Sequence, residues 1–119
     1  MTDYLNYLDA AVAGFQKEVQ GLLSQDRADE ANIVKIKINV CGICKTVYEA
    51  LQRATPPEQF ERMYLAKLRQ LENIWKEAYD KAEAHDDAEK LLIEQSKLKT
   101  LQKNKLQYLE LRRRQHAGS

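Results

Sequence analysis

Apolar residues recur along this chain at alternating intervals of three and four, the spacing that places side chains on one face of an α-helix. The pattern is clearest near the start of the chain, where it also has the heptad period of a coiled coil. There it consists of Leu5, Leu8, Val12, Phe15, Val19 and Leu22. Because a helix with one apolar face must bury that face, the spacing predicts a first helix over residues 3–24 that packs against other elements.

The next segment has two interpretations. Residues 34–40 alternate apolar and polar side chains, as a half-buried strand does. The same segment also follows the helical spacing, at Ile33, Ile36, Val40, Ile43 and Val47. No other segment resembles a strand that could pair with it, and an unpaired strand leaves its backbone donors and acceptors unsatisfied. We therefore expect a helix over residues 28–54, with the strand as the alternative.

Two signals mark where the later helices begin. The run Thr55-Pro56-Pro57-Glu58 has the order of a capping box, with Thr55 before the helix and a proline at its first position. The apolar stripe that follows loses its phase near His85-Asp86-Asp87, where either aspartate can cap a new helix. We expect helices over residues 56–84 and 88–113, and one uninterrupted helix from residue 56 onward is the alternative.

The composition agrees with an all-α protein. The 119 residues include only four Gly and two Pro, with 44% hydrophobic and 31% charged residues. These proportions fit a single folded domain. We predict an antiparallel four-helix bundle, or a three-helix core with an outlying basic fourth helix, because the fourth apolar stripe is narrow and interrupted by polar residues. Residues 114–119 are expected to form a short flexible tail.

Cys41-Gly42-Ile43-Cys44 has the CxxC spacing of thiol–disulfide enzymes and of half of many zinc sites. In redox enzymes this motif lies at the exposed start of a helix that follows a strand, whereas here it lies inside an apolar run. A zinc site needs more ligands, and His85 and His116 lie at unrelated spacings. The pattern favours two small core side chains, and a redox pair formed by Cys41 and Cys44 is the less favoured alternative.

The N-terminal sequence lacks the basic and apolar regions of a signal peptide, and no stretch approaches the length of a membrane span. Two cysteines are too few for the disulfide framework of a small secreted domain. We therefore expect a cytoplasmic protein that does not contact a membrane.

Charge divides the chain into two unequal parts. Residues 90–119 hold eight Lys and Arg against two Asp and Glu, whereas residues 1–89 hold eleven against sixteen. Such an asymmetry predicts contact with an anion or a partner. The candidate residues are Lys97, Lys99, Lys103, Lys105, Arg112, Arg113 and Arg114.

These basic residues do not gather on one face of a helix, so they are weaker evidence for phosphate binding than a stripe would be. Two other interpretations are simple solvation and packing against an acidic run of the third predicted helix. That run consists of Glu72, Glu77, Asp80 and Glu83.

No residue pattern points to catalysis. The chain has no HExxH motif, glycine-rich phosphate loop or EF-hand loop, and no nucleophile can be paired with a base. We expect no enzyme activity, no cofactor and no metal. The six Tyr and Trp75 are expected mainly in the core, although some could line a protein-binding groove.

We predict a non-catalytic protein-interaction, adaptor or regulatory protein. It is expected to form a homodimer, or to bind another protein, through exposed apolar edges of the second to fourth helices. A nucleic-acid-binding protein that uses the basic C-terminal helix is the alternative.

Overall fold

The computed structural model describes residues 2–117, which form four α-helices and no strand. The helices are α1 (Thr2–Ser24), α2 (Ala28–Ala54), α3 (Pro57–Ala84) and α4 (Ala88–Ala117). Connections of two or three residues make successive helices antiparallel. The predicted all-α four-helix bundle is therefore confirmed. None of these helices has a segment long and apolar enough to cross a membrane.

The predicted helix boundaries agree closely with the structure. Residues 34–40 lie inside α2, so the strand alternative is wrong, and α3 and α4 are separated by a turn rather than joined in one helix. Helix α4 ends at Ala117 instead of at residue 113. The last two residues of the predicted tail, Gly118 and Ser119, lie outside the described residues.

The predicted capping box at the start of α3 does not form. Thr55 follows the last residue of α2 in an extended conformation, and Pro56 precedes the first helical residue, Pro57, without a side-chain cap hydrogen bond. The physical reason is the second proline, since a residue before proline is disfavoured in the helical region. Pro56 accordingly has an extended backbone, with ψ at 142°.

Helix α4 is a full member of the bundle and not an outlying element. It buries Leu101 and Tyr108 in the main core, and its other buried positions are polar. These polar residues are Glu94, Ser96, Thr100 and Asn104. The Ser96 and Thr100 hydroxyls donate to backbone carbonyls one turn earlier, which satisfies them inside the helix. Polar residues at buried positions explain why the apolar stripe of α4 is weak.

The turns after α1 and α3 have the same geometry. Asp26 and Asp86 both have positive φ, at 58° and 51°. In each turn the next amide donates to a carbonyl five residues earlier, which is the Schellman pattern. These bonds run from Arg27 to Leu22 and from Asp87 to Ala82, both at 2.9 Å. The bundle therefore consists of two helical hairpins closed by equivalent turns.

Candidate functional site

Four of the seven predicted basic residues form ion pairs with acidic side chains of this chain. Lys97 pairs with Glu94, Arg112 with Glu61, and Arg113 and Arg114 with Glu110. Only the pair between Arg112 and Glu61, at 2.9 Å, joins α4 to α3. These four cations are therefore partly neutralised within the bundle.

The acidic run of α3 does not form the predicted ion pairs with the basic residues of α4. Asp80 pairs with Lys76, and Glu77 pairs with Lys81, so both pairs lie within α3. The carboxylate that α4 contacts is Glu61, which lies near the other end of α3.

Lys97 is half-buried against the bundle. Its amino group lies 3.1 Å from Glu94 Oε1 and 5.7 Å from the centre of the Trp75 ring. Glu94 is buried, and its second oxygen, Oε2, has no hydrogen-bond partner among the described residues. Lys97 therefore compensates a buried carboxylate.

The other three predicted basic residues, Lys99, Lys103 and Lys105, form no ion pair with any residue in the range 2–117. Lys99 and Lys103 lie beside a groove between α4 and α2, and Lys37 of α2 lies beside the same groove. The structure thus brings two predicted cations together with Lys37, which the charge pattern of the C-terminal segment does not include.

We call this surface the α2–α4 groove, and it has two adjoining sections. The basic section has a volume of about 370 Å³, and Tyr7, Ala11 and Phe15 of α1 form its far wall. The acidic section has a volume of about 500 Å³ and is bordered by Asp29 and Glu89. Ile33 and Leu92 line both sections. The groove therefore changes from positive to negative along its length, and an apolar centre lies between the two ends.

Leu92 is the most exposed apolar side chain of the groove, with 49% of its surface accessible. Ile33, Ile36 and Ile93 beside it are each half-buried. An apolar strip with charged borders is the composition of a protein-binding surface, where a water-excluding centre is surrounded by a polar rim. The groove brings together apolar edges of α2 and α4, whereas Ile74, an exposed apolar residue of α3, lies outside it.

Cys41 and Cys44 are both free and fully buried. Burial raises the pKa of each thiol, to about 11 for Cys44. Asn104 Nδ2 donates to the two sulfurs, at 3.5 Å and 3.6 Å. A reactive thiol needs a lowered pKa and solvent access, and these thiols have neither. Their environment is that of core side chains.

Asn104 connects the two cysteines to the groove. It is fully buried, and its Oδ1 accepts a hydrogen bond of 3.4 Å from the Tyr7 hydroxyl. Tyr7 and Asn104 both lie at the inner edge of the basic section. Nothing in the sequence pattern identified Asn104, since it interrupts the apolar stripe of α4 and resembles a surface residue.

Four buried tyrosines, one from each helix, meet at the end of the bundle where α1 begins. They are Tyr4, Tyr48, Tyr64 and Tyr108, and their ring centres lie between 5.2 and 6.5 Å apart. Burial raises the pKa of each of these hydroxyls, most strongly that of Tyr64. The prediction that most tyrosines lie in the core is confirmed for these four, whereas Tyr7 lines the groove.

The signals that could have identified the groove are weak ones. Asp29, Ile33 and Lys37 are spaced by four on α2, so they lie on one helical face. However, the pairing of that face with Leu92 and Lys99 depends on how α2 and α4 pack, and the sequence does not give that packing.

His85 is exposed in the turn between α3 and α4, where the loss of phase in the apolar stripe predicts a break between two helices. Among the residues that the structure describes, no group of three or more His, Cys, Asp or Glu is placed to hold a metal ion. No protein-family model matches the chain, and searches of curated proteins and of solved structures also found no match.

Proposed function

We propose that this chain is a non-catalytic protein-interaction protein, of the adaptor or regulatory kind, that self-associates through the α2–α4 groove. The observation that carries the proposal is the exposure of Leu92 at the centre of an apolar strip with charged borders. Burying such a strip against another protein removes apolar surface from water, which is the main favourable term in most associations. A homodimer is the assembly that we expect.

A non-catalytic function is favoured because both cysteines and the core tyrosine Tyr64 are held in unreactive states. Burial raises the pKa of Cys41, Cys44 and Tyr64, whereas catalysis needs a nucleophile with a lowered pKa or an adjacent base. Free thiols also suit a reducing compartment, and on this ground we propose that the protein acts in the cytoplasm.

The test is the molar mass of the chain in solution, measured by size-exclusion chromatography with light scattering. We expect twice the chain mass of 13.8 kDa for the wild type. Leu92→Asp should reduce the mass to that of the monomer, because association would bury an unpaired carboxylate. The matched control is Ile74→Asp, since Ile74 is even more exposed, at 59%, but lies on α3 outside the groove.

The control should remain a dimer. A wild type that stays monomeric at high concentration would contradict the proposal, and so would equal effects of the two substitutions. Circular dichroism on each variant separates loss of association from loss of fold.

Nucleic-acid binding is the second candidate, and the observation in its favour is the cluster of Lys37, Lys99 and Lys103, none of which has an ion-pair partner within residues 2–117. The pairing of Arg112, Arg113 and Arg114 with glutamates gives it less support. It predicts binding of a labelled duplex whose affinity falls steeply between about 50 and about 200 mM salt. Absence of binding at the lower salt concentration would exclude it.

A further inference from the structure

We propose that two copies of this chain pair through their α2–α4 grooves in an antiparallel, two-fold symmetric arrangement, so that the basic section of each copy meets the acidic section of the other. This inference rests on the proposed self-association and specifies its geometry. The occupant of the groove is therefore a second copy of the same chain.

Charge is distributed in the same way along the two helices that border the groove. Helices α2 and α4 run in the same direction, because each is antiparallel to α3. On α2, Asp29 precedes Ile33 by four residues and Lys37 follows it by four. On α4, Glu89 precedes Leu92 and Lys99 follows it. Both helices therefore carry their negative groups at the same end of the groove and their positive groups at the other.

This distribution of charge is self-complementary. With a rise of 1.5 Å per residue, Asp29 and Lys37 each lie about 6 Å along α2 from Ile33. On α4, Glu89 and Lys99 each lie about 7.5 Å along the helix from Glu94. A two-fold axis that passes near these centres places each lysine opposite an acid of the other copy. The two copies of Leu92 then meet beside the axis.

The charged side chains of the groove are available to a second copy. Asp29, Glu89, Lys37, Lys99 and Lys103 form no ion pair with any residue in the range 2–117. Lys97 and the three arginines near the end of α4, by contrast, are paired within the chain. A nucleic acid would meet the carboxylates of the acidic section unfavourably. A second copy, by contrast, places opposite charges against both the basic section and the acidic section.

The experiment exchanges the charges. One variant, Lys37→Glu with Lys99→Glu, reverses the two lysines that lie opposite acids of the other copy, and the other, Asp29→Lys with Glu89→Lys, reverses those two acids. Each variant alone places like charges opposite each other, so we expect its dimer to be at least about tenfold weaker than that of the wild type. An equimolar mixture should form heterodimers with nearly wild-type affinity, because each contact then joins opposite charges.

Native mass spectrometry distinguishes the species, since the two variants differ in mass. Lys67→Glu with Lys105→Glu is the control of equal charge change, because neither residue lines the groove. A chain that carries all four groove substitutions should dimerise with itself again.

The outcomes separate this inference from the proposed function. If the wild type dimerises and Leu92→Asp disrupts it, but the charge variants dimerise as the wild type does, self-association stands and the antiparallel arrangement is wrong. Failure of the mixture to form heterodimers, when both variants are folded and monomeric, also overturns the arrangement. A monomeric wild type overturns both.

Discussion

The hydroxyl groups of Tyr4 and Tyr64 lie 2.8 Å apart in the buried core, although 60 positions separate the two residues in the chain. The Tyr64 hydroxyl also donates to the carbonyl of Cys44, at 3.2 Å. Because Tyr64 has one hydroxyl hydrogen and uses it for Cys44, Tyr4 is the donor to Tyr64. This chain of hydrogen bonds joins α1, α3 and α2 through polar groups.

The direction of these bonds predicts unequal costs for removing the two hydroxyls. Tyr64→Phe leaves the Tyr4 hydroxyl buried without an acceptor, and we expect it to lower the free energy of unfolding by about 1–3 kcal/mol. Tyr4→Phe leaves Tyr64 with its bond to Cys44, so its cost should be about 0.5–1.5 kcal/mol. Urea denaturation of both variants and the double variant measures the difference. Equal costs would show that the assigned direction is wrong.

The raised pKa values of the core hydroxyls and thiols predict loss of stability in alkali. Burial raises the pKa of Tyr4, Tyr64 and Tyr108 above their ordinary 10.0, and that of Cys44 from 9.0 to about 11. At high pH the unfolded chain loses these protons first and so binds fewer than the folded chain. The free energy of unfolding must therefore fall as pH rises.

Each of these groups lowers the free energy of unfolding by about 1.4 kcal/mol per pH unit within a window of pH. That window lies between the pKa of the group in the unfolded chain and its raised pKa in the folded chain. The window for Cys44 runs from 9.0 to about 11, and those for the tyrosines begin at 10.0. Urea titrations from about pH 8 to about pH 11 test this dependence, and Tyr4→Phe should make the slope shallower. A stability that does not change over this range would contradict it.

The turn between α3 and α4 predicts opposite effects of substituting two adjacent aspartates. Asp86 has φ at 51°, which favours glycine, so Asp86→Gly should raise the free energy of unfolding by about 0.5–1 kcal/mol. Asp87 Oδ1 accepts a hydrogen bond of 3.0 Å from the amide of Lys90 at the start of α4. Asp87→Ala should therefore cost about 1 kcal/mol.

Thermal and urea unfolding of the two variants check this difference, and each serves as the charge-matched control of the other. Effects of the same sign would mean that loss of the negative charge, and not the geometry of the turn, decides the result.

Burial of Cys41 and Cys44 predicts that neither thiol reacts in the native protein. An aromatic disulfide reagent should modify both residues rapidly in urea and only at the rate of unfolding in buffer. Fast native reaction, or a mass loss of about 2 Da under mild oxidant, would support the redox-pair alternative for the CxxC motif.

The fold was predictable because apolar spacing decides which residues of a helix can face a core. The spacing in α1 and α3 is nearly continuous, and their boundaries agree with the structure within one residue. The alternation at residues 34–40 of α2 was ambiguous, and the need to satisfy backbone groups resolved it correctly. The apolar pattern underestimated the contribution of α4 to the core, because this helix buries Asn104 and Thr100 at positions where an apolar stripe would be expected.

The candidate site was predictable only in part, because it depends on contacts between helices. The sequence identified Lys99 and Lys103 through the charge of the C-terminal segment. It could not indicate that Arg112 pairs with Glu61, or that Lys37 lies beside the same groove. These relationships follow from the rotation of α4 about its axis, which its mixed polar and apolar sequence does not fix.

The central claim, that two copies meet at the α2–α4 groove, is tested most directly by a cross-link at its centre. Gln95 lines the groove close to the proposed two-fold axis, whereas Gln70 is exposed on α3 and lies outside the groove. Oxidised glutathione should convert Gln95→Cys rapidly into a disulfide-linked dimer, while the buried native thiols do not react. Gln70→Cys should remain almost entirely uncross-linked. Equal cross-linking of the two variants, or none at position 95 in the folded protein, would contradict the account.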